Sequence, residues 1–161
     1  MNDDFVELRR RDFLIRSGGV VAAAATVALL PASARATPQA MHEAIRKIVG
    51  EGTLQQGRVK LDVPPLVENG NTVPLTVAVE SPMTAADHVK AVHIVNEKNP
   101  QPQVISVTIG PRAGRATLST RIKLADSQQI VAVAEMSDGS FWSGSAEVIV
   151  TIAACVEDLV R

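Results

Sequence analysis

The sequence holds one cysteine, Cys155, in the run Ala153-Ala154-Cys155-Val156-Glu157-Asp158-Leu159-Val160-Arg161. It follows an apolar alternating stretch, Glu147-Val148-Ile149-Val150-Thr151-Ile152. A thiol can serve as a nucleophile, a metal ligand, a disulfide partner or a covalent attachment point. An unperturbed thiol ionises near ~8.5, and only cations or a helix N-terminus bring it lower. The neighbours here are Glu157 and Asp158, which disfavour the thiolate. Cys155 therefore reads as an attachment point that another protein must activate, and not as a self-activated catalyst. A buried, inert cysteine is the bland alternative. Its place beyond the last expected strand argues against burial, since a few extended residues past a strand give a reach of order 10 Å.

No other constellation competes with it. The three histidines are His42, His88 and His93. His88 and His93 are five residues apart around one expected strand, and odd separations on a strand face opposite ways. With a single cysteine far away in sequence, this set makes no zinc site. The stretch Asp138-Gly139-Ser140-Phe141-Trp142-Ser143-Gly144 sets hydroxyls beside aromatics. It has no glycine-flanked nucleophile elbow and no evident His-acid pair, so a hydrolase is not expected; Trp142 reads as core. No glycine-rich phosphate loop and no cofactor motif occur. Arg112, Arg115, Arg121 and Lys123 form a local basic cluster, read as a solvated face, with contact to an acidic partner as the sharper alternative. A net charge of -1 argues against nucleic acid, which demands a basic stripe.

The elements that position the thiol begin with an export segment. Arg9-Arg10-Arg11-Asp12-Phe13-Leu14 precedes an uncharged run from Ser17 to Leu30, then Pro31 and the small-residue site Ala34-Arg35-Ala36. This layout is that of a cleaved signal, and the paired arginines followed by Phe-Leu fit the twin-arginine type. The apolar run is shorter than the ~20 residues that span a bilayer. Cleavage after Ala36 is expected, leaving residues 37–161 in the periplasm without stable membrane insertion. In an exported protein, a lone thiol signals an intermolecular bond or a free reactive group.

Thr37-Pro38 is expected to cap a short helix, with Met41, Ala44, Ile45, Ile48 and Val49 on one stripe and Gly50 as the stop. The stripe packs on the domain or on a partner. From Gly57 the period becomes two. Val59–Val63 is a first strand, stopped by Pro64-Pro65. Val73, Leu75, Val77 and Val79 form one face of a second, with Pro74 marking an edge strand or a strand start. Further strands are expected at Val89–Val95, Val104–Ile109, Ala116–Leu124, Ile130–Met136 and from Phe141 to Ile152. Asp138-Gly139 is the strongest hairpin signal. Aromatics make up only 2% of the chain, so the core is aliphatic. About seven short strands with turns between them specify an all-β antiparallel β-sandwich over residues 37–152, with one N-terminal helix and a short tail at 153–161.

Several runs resemble a known family. They are Leu61-Asp62-Val63-Pro64-Pro65-Leu66-Val67-Glu68-Asn69-Gly70-Asn71-Thr72-Val73-Pro74-Leu75, Glu80-Ser81-Pro82-Met83, Asn99-Pro100-Gln101-Pro102, Ala134-Glu135-Met136-Ser137-Asp138-Gly139-Ser140-Phe141-Trp142 and Val150-Thr151-Ile152-Ala153-Ala154-Cys155. Together they resemble the SoxY proteins of thiosulfate oxidation. The resemblance implies an immunoglobulin-like form of the sandwich, a carrier and not an enzyme, with residues 153–161 as the carrier tail, without a cofactor, and a heterodimer with a SoxZ-like protein. It implies that Cys155 holds sulfur intermediates covalently. A SoxAX cytochrome would join thiosulfate to it oxidatively, a SoxB hydrolase would release sulfate, and SoxCD, where present, would oxidise the remaining sulfane sulfur. The usual Gly-Gly-Cys-Gly-Gly ending of that family is replaced here by Ala-Ala-Cys-Val-Glu-Asp. Alanine and the β-branched Val156 give a stiffer, bulkier arm. The alternative function is a disulfide-linked interaction module of the periplasm without sulfur cargo.

Overall fold

The computed structural model describes residues 37–152. The export segment, its cleavage site and the tail carrying Cys155 lie outside the described residues. Thr37 caps α1 (Pro38–Val49): its hydroxyl accepts from the Ala40 amide at 3.3 Å, and Pro38 opens the first turn. Gly50, at φ 62°, closes the helix by donating its amide to the Arg46 carbonyl at 2.8 Å. Met41 and Val49 are buried, with Ala44, Ile45 and Ile48 beside them. They pack on Val95, Val131, Val133, Leu54 and Phe141, so the helix covers the domain itself.

Nine strands follow among the described residues: β1 (Leu54–Gln56), β2 (Val59–Asp62), β3 (Leu66–Asn69), β4 (Val73–Val79), β5 (Val89–Asn96), β6 (Gln103–Thr108), β7 (Ala116–Ile122), β8 (Gln128–Met136) and β9 (Phe141–Ile152). They form two sheets. One has the order β1-β9-β8-β5-β6 with β3 also on β9, and the other is β2-β4-β7. The expected sandwich is therefore present, with two strands more than the alternation suggested. The additions are β1 and β3, each too short to show a period and each beside glycine or proline.

The long ladders are antiparallel, and both short additions pair with β9 in parallel. Leu54–Gln56 lies beside Phe141–Ser143, and Leu66–Asn69 lies beside Ile149–Ile152. Between them the chain leaves this sheet, runs as β2 beside β4 in the facing sheet, and returns. Gly57 at φ 108° and Arg58 at φ 53° make the exit, and Pro64-Pro65 makes the return. Only glycine takes such a φ without strain, so Gly57 is where the turn is feasible.

Pro74 stands at the start of β4, and β4 is the central strand of its sheet, not an edge. The proline is tolerated because β2 pairs only with Thr76–Val79, leaving Pro74 opposite β7 alone. Val73, Leu75, Val77 and Val79 are all buried, as the alternation requires. They meet Val92, Ile94, Ile130, Ala132, Ala134, Met136 and Val148 from the other sheet, together with Leu124. Burying each large aliphatic side chain in this layer contributes about 1.5–3 kcal/mol. Trp142 is half-buried at the rim of the core, with the Arg58 guanidinium 4.9 Å above its ring.

Candidate functional site

β9 carries the chain toward Cys155, and the last residues of that strand are gripped from both sides. Val148 and Val150 are buried on the inner face, which fixes the strand against the core. The β8 ladder ends at the pair Gln128 and Val148. Beyond it, side chains take over. Ser127 accepts from the Val150 amide at 2.9 Å and returns its hydroxyl to the Val150 carbonyl at 3.4 Å. On the opposite edge, the Ile149 amide donates to the Pro65 carbonyl at 2.9 Å, and Thr151 Oγ1 donates to the Glu68 carbonyl at 3.2 Å.

Ser127 is itself held in place. The turn from β7 to β8 is closed by Asp126, whose carboxylate accepts from the Ser127 amide and from Lys98 Nζ at 3.1 Å. The Lys98 ammonium, and then the Ser127 amide, hold the Asp126 carboxyl below the usual carboxylate range. Buried Gln128 accepts from the Lys98 amide at 2.8 Å and donates to Asn99 Oδ1 at 3.0 Å and the Asp126 carbonyl at 3.1 Å. Asn99 donates to the Lys123 carbonyl at 2.8 Å and accepts from the Ala125 amide at 2.9 Å. The network fixes the turn, and through Ser127 it fixes where β9 ends. Asp126-Ser127 reads as a turn in the sequence, and Asn99-Pro100 as a loop. Their joint role as a clamp has no local signal.

Cys155 is three residues past Ile152 and lies outside the described residues. The histidines take separate places: His42 is exposed on α1, and His88 lies ahead of β5 with Nδ1 donating to the Thr84 carbonyl at 3.1 Å. His93 Nδ1 and Ser106 Oγ are 2.8 Å apart on β5 and β6. Burial holds the His93 ring below the ordinary imidazole range, and nearby Glu135 offsets part of that. No group of three His, Cys, Asp or Glu capable of holding a metal ion occurs among the described residues. Ser140 is engaged in the β8–β9 turn: its hydroxyl donates to Asp138 Oδ1 at 2.7 Å and accepts from Trp142 Nε1 at 3.1 Å. Arg112, Arg115, Arg121 and Lys123 are all exposed along β7 and its flanks.

The family profile for "Sulfur oxidation protein SoxY" matches residues 45–155. The chain belongs to the SoxY family. The match takes in every strand of the sandwich and runs as far as Cys155. Among solved structures, the sulfur carrier protein SoxY from Chlorobium limicola f thiosulfatophilum is similar at 28% identity and a TM-score of 0.60. The likeness covers 71% of this chain and 98% of that one. A superoxide reductase (neelaredoxin) from Ignicoccus hospitalis is similar at 18% identity and a TM-score of 0.53, over 58% of this chain and 80% of that one. That second likeness shows the shared sandwich alone. Comparison with curated protein sequences gives no match. Within the SoxY family, the described part of this chain supplies the scaffold and the gripped strand end, and no helix among the described residues is long and apolar enough to cross a membrane.

Proposed function

We propose that this chain is a periplasmic covalent carrier of thiosulfate-derived sulfur, with Cys155 as the attachment site. The observation that carries the reading is membership of the SoxY family over a stretch that runs through the chain's sole cysteine. The clamped end of β9, three residues short of that cysteine, supports it. A carrier arm needs a fixed root, so that the reach of the thiol is set by the few residues beyond it.

The chemistry is divided among proteins. In the first step the Cys155 thiol and thiosulfate join through a new S–S bond. One proton is released, and two electrons pass to a SoxAX-type cytochrome. In the second, water adds to the terminal sulfone under a SoxB-type hydrolase. Sulfate leaves, and a persulfide stays on Cys155. A SoxCD-type enzyme would oxidise that sulfur further. The carrier supplies no base, no metal and no cofactor of its own in this scheme. A SoxZ-like protein is its constant partner. Residues 1–36 are its twin-arginine export signal and residues 153–161 its tail, so the mature protein starts at Thr37.

Intact-mass spectrometry of the mature protein, incubated with thiosulfate and the cytochrome, is expected to show an adduct on the Cys155 peptide that a reductant removes. Cys155→Ser is expected to lose the adduct and keep the fold. A thiol that stays unmodified with all partners present overturns the reading. A disulfide-linked dimer on non-reducing electrophoresis, without any adduct, would identify the interaction-module alternative instead.

A further inference from the structure

Leu66 on β3 and Ile149 on β9 are exposed large hydrophobic residues, 59% and 58% accessible. They are Cα partners in a parallel ladder, so their side chains stand side by side. Val148 and Val150, on either side of Ile149, belong to the core, which turns Ile149 to the outer face of the sheet. The helix α1 packs over Leu54, Val131, Val133 and Phe141 of that face, and the pair lies outside this packing. Exposed Glu68 and Glu147 stand two residues from Leu66 and Ile149 on the same face. The ion pairs among the described residues, Lys90–Glu135 and Lys98–Asp126, use neither glutamate. The result is an apolar centre between two carboxylates.

The patch is built into the end of β9. The Ile149 amide donates to the Pro65 carbonyl at 2.9 Å, Thr151 Oγ1 donates to the Glu68 carbonyl at 3.2 Å, and Ser127 holds Val150. Cys155 follows Ile149 by six residues in sequence, a chain length of at most about 20 Å. A protein that engages the thiol through a footprint of ~800 Å² per partner, roughly 30 Å across, has room for the pair as well. Two apolar side chains suit a transient encounter.

The charges choose the occupant. A second copy across a two-fold axis would bring four carboxylates together. Anionic lipid headgroups are repelled by the same groups. A protein whose thiol-accepting mouth carries an apolar side chain within a rim of Lys and Arg matches both features. Glu157 and Asp158, against Arg161, make the sequence after the thiol acidic too.

We propose that Leu66 and Ile149, flanked by Glu68 and Glu147, are the docking patch for each enzyme that takes up the Cys155 thiol, the loading cytochrome first, and that these enzymes meet it with an apolar anchor inside a cationic rim. The patch serves the carrier role proposed above and depends on it.

The test is the rate of thiosulfate adduct formation on residues 37–161, in complex with the SoxZ-like partner, driven by the SoxAX-type cytochrome and followed by intact mass. Leu66→Ser/Ile149→Ser is expected to raise KM for the carrier about tenfold with kcat unchanged, as loss of a docking contact does. Glu68→Lys/Glu147→Lys is expected to lower kcat/KM about tenfold at low ionic strength, and the loss should vanish near ~0.5 M salt. Asp62→Lys/Glu80→Lys makes the same charge change at exposed positions on and beside the facing sheet, and is expected to alter kcat/KM less than about twofold. Equal kinetics in the wild type and both patch variants overturn the proposal. So does an equal loss in the Asp62→Lys/Glu80→Lys protein, which would reduce the effect to net charge. Dissociation of the SoxZ-like partner by either patch variant in sedimentation also overturns it, by assigning the pair to the constant interface. If the Leu66→Ser/Ile149→Ser protein fails to fold, the glutamate variant decides. No adduct on the wild type overturns the carrier reading and the patch with it, whereas an adduct formed equally by all the proteins overturns the patch alone.

Discussion

Ser127 grips Val150 by two hydrogen bonds, accepting the amide at 2.9 Å and donating to the carbonyl at 3.4 Å. The residues are 23 apart in sequence, and the contact starts where the β8 ladder stops. It gives the last turn of β9 the lateral support that a backbone neighbour gives elsewhere. The root of the proposed carrier arm is thus set by one hydroxyl.

Ser127→Ala is expected to leave the part-buried Val150 amide without a partner and to cost about 1–2 kcal/mol. Urea unfolding measures the loss. Hydrogen exchange resolves its place: the Val150 and Thr151 amides should exchange faster than those of Phe141–Gly144. Uniform protection along β9 in the variant would show that the strand end needs no clamp.

Gly144 lies where the crossing chain presses on β9. A Cβ at this position would stand 2.3 Å from the Val59 carbonyl oxygen, which belongs to backbone and cannot swing aside. Gly144→Ala is expected to destabilise by about 2 kcal/mol or more, as overpacked sites do. Gly110→Ala is the control, because nothing lies within 4 Å of its Cβ position and the change should stay within about 0.5 kcal/mol. Thermal unfolding of the two variants side by side makes the comparison, and equal midpoints would contradict the geometry.

His93 has its folded-state pKa lowered, chiefly by burial, with Glu135 opposing. The unfolded ring therefore binds its proton first as pH falls. Stability is expected to be flat above the ordinary imidazole value of about 6.5 and to decline below it, until the folded ring protonates too. Replacing the ring, as in His93→Gln, should flatten that part of the profile. Urea midpoints at pH 7.5 and 5.5 for both proteins test this; an unchanged slope in the variant would assign the decline to other groups.

Much of the scaffold is legible in the sequence because it is periodic. Val73, Leu75, Val77 and Val79 alternate with polar or small residues, and the face so defined is the buried one. The Met41–Val49 stripe marks a helix, and Thr37-Pro38 and Gly50 mark its ends, because capping is a local matter of free amides and a left-handed residue. Asp138-Gly139 gives its hairpin for the same reason: Gly139 takes φ 84°. The sole cysteine and the motifs around it point to sulfur chemistry without any coordinate.

Tertiary structure decided what no window of residues contains. β1 and β3 have three and four residues, beside Gly57 and Pro65, and exist because β9 offers them an edge on one side. Pro74 sits in a central strand only because β2 is too short to reach it. Gly144 looks like any strand glycine until Val59 arrives from the facing sheet, and Ser127 looks like any turn serine until Val150 comes beside it. Ile149 alternates as a strand residue should, yet its exposure beside Leu66 follows from a parallel pairing 83 residues distant. Composition and period fix which faces are apolar; pairings between distant segments fix which neighbours those faces meet, and the residues that grip the end of β9 belong to the second kind.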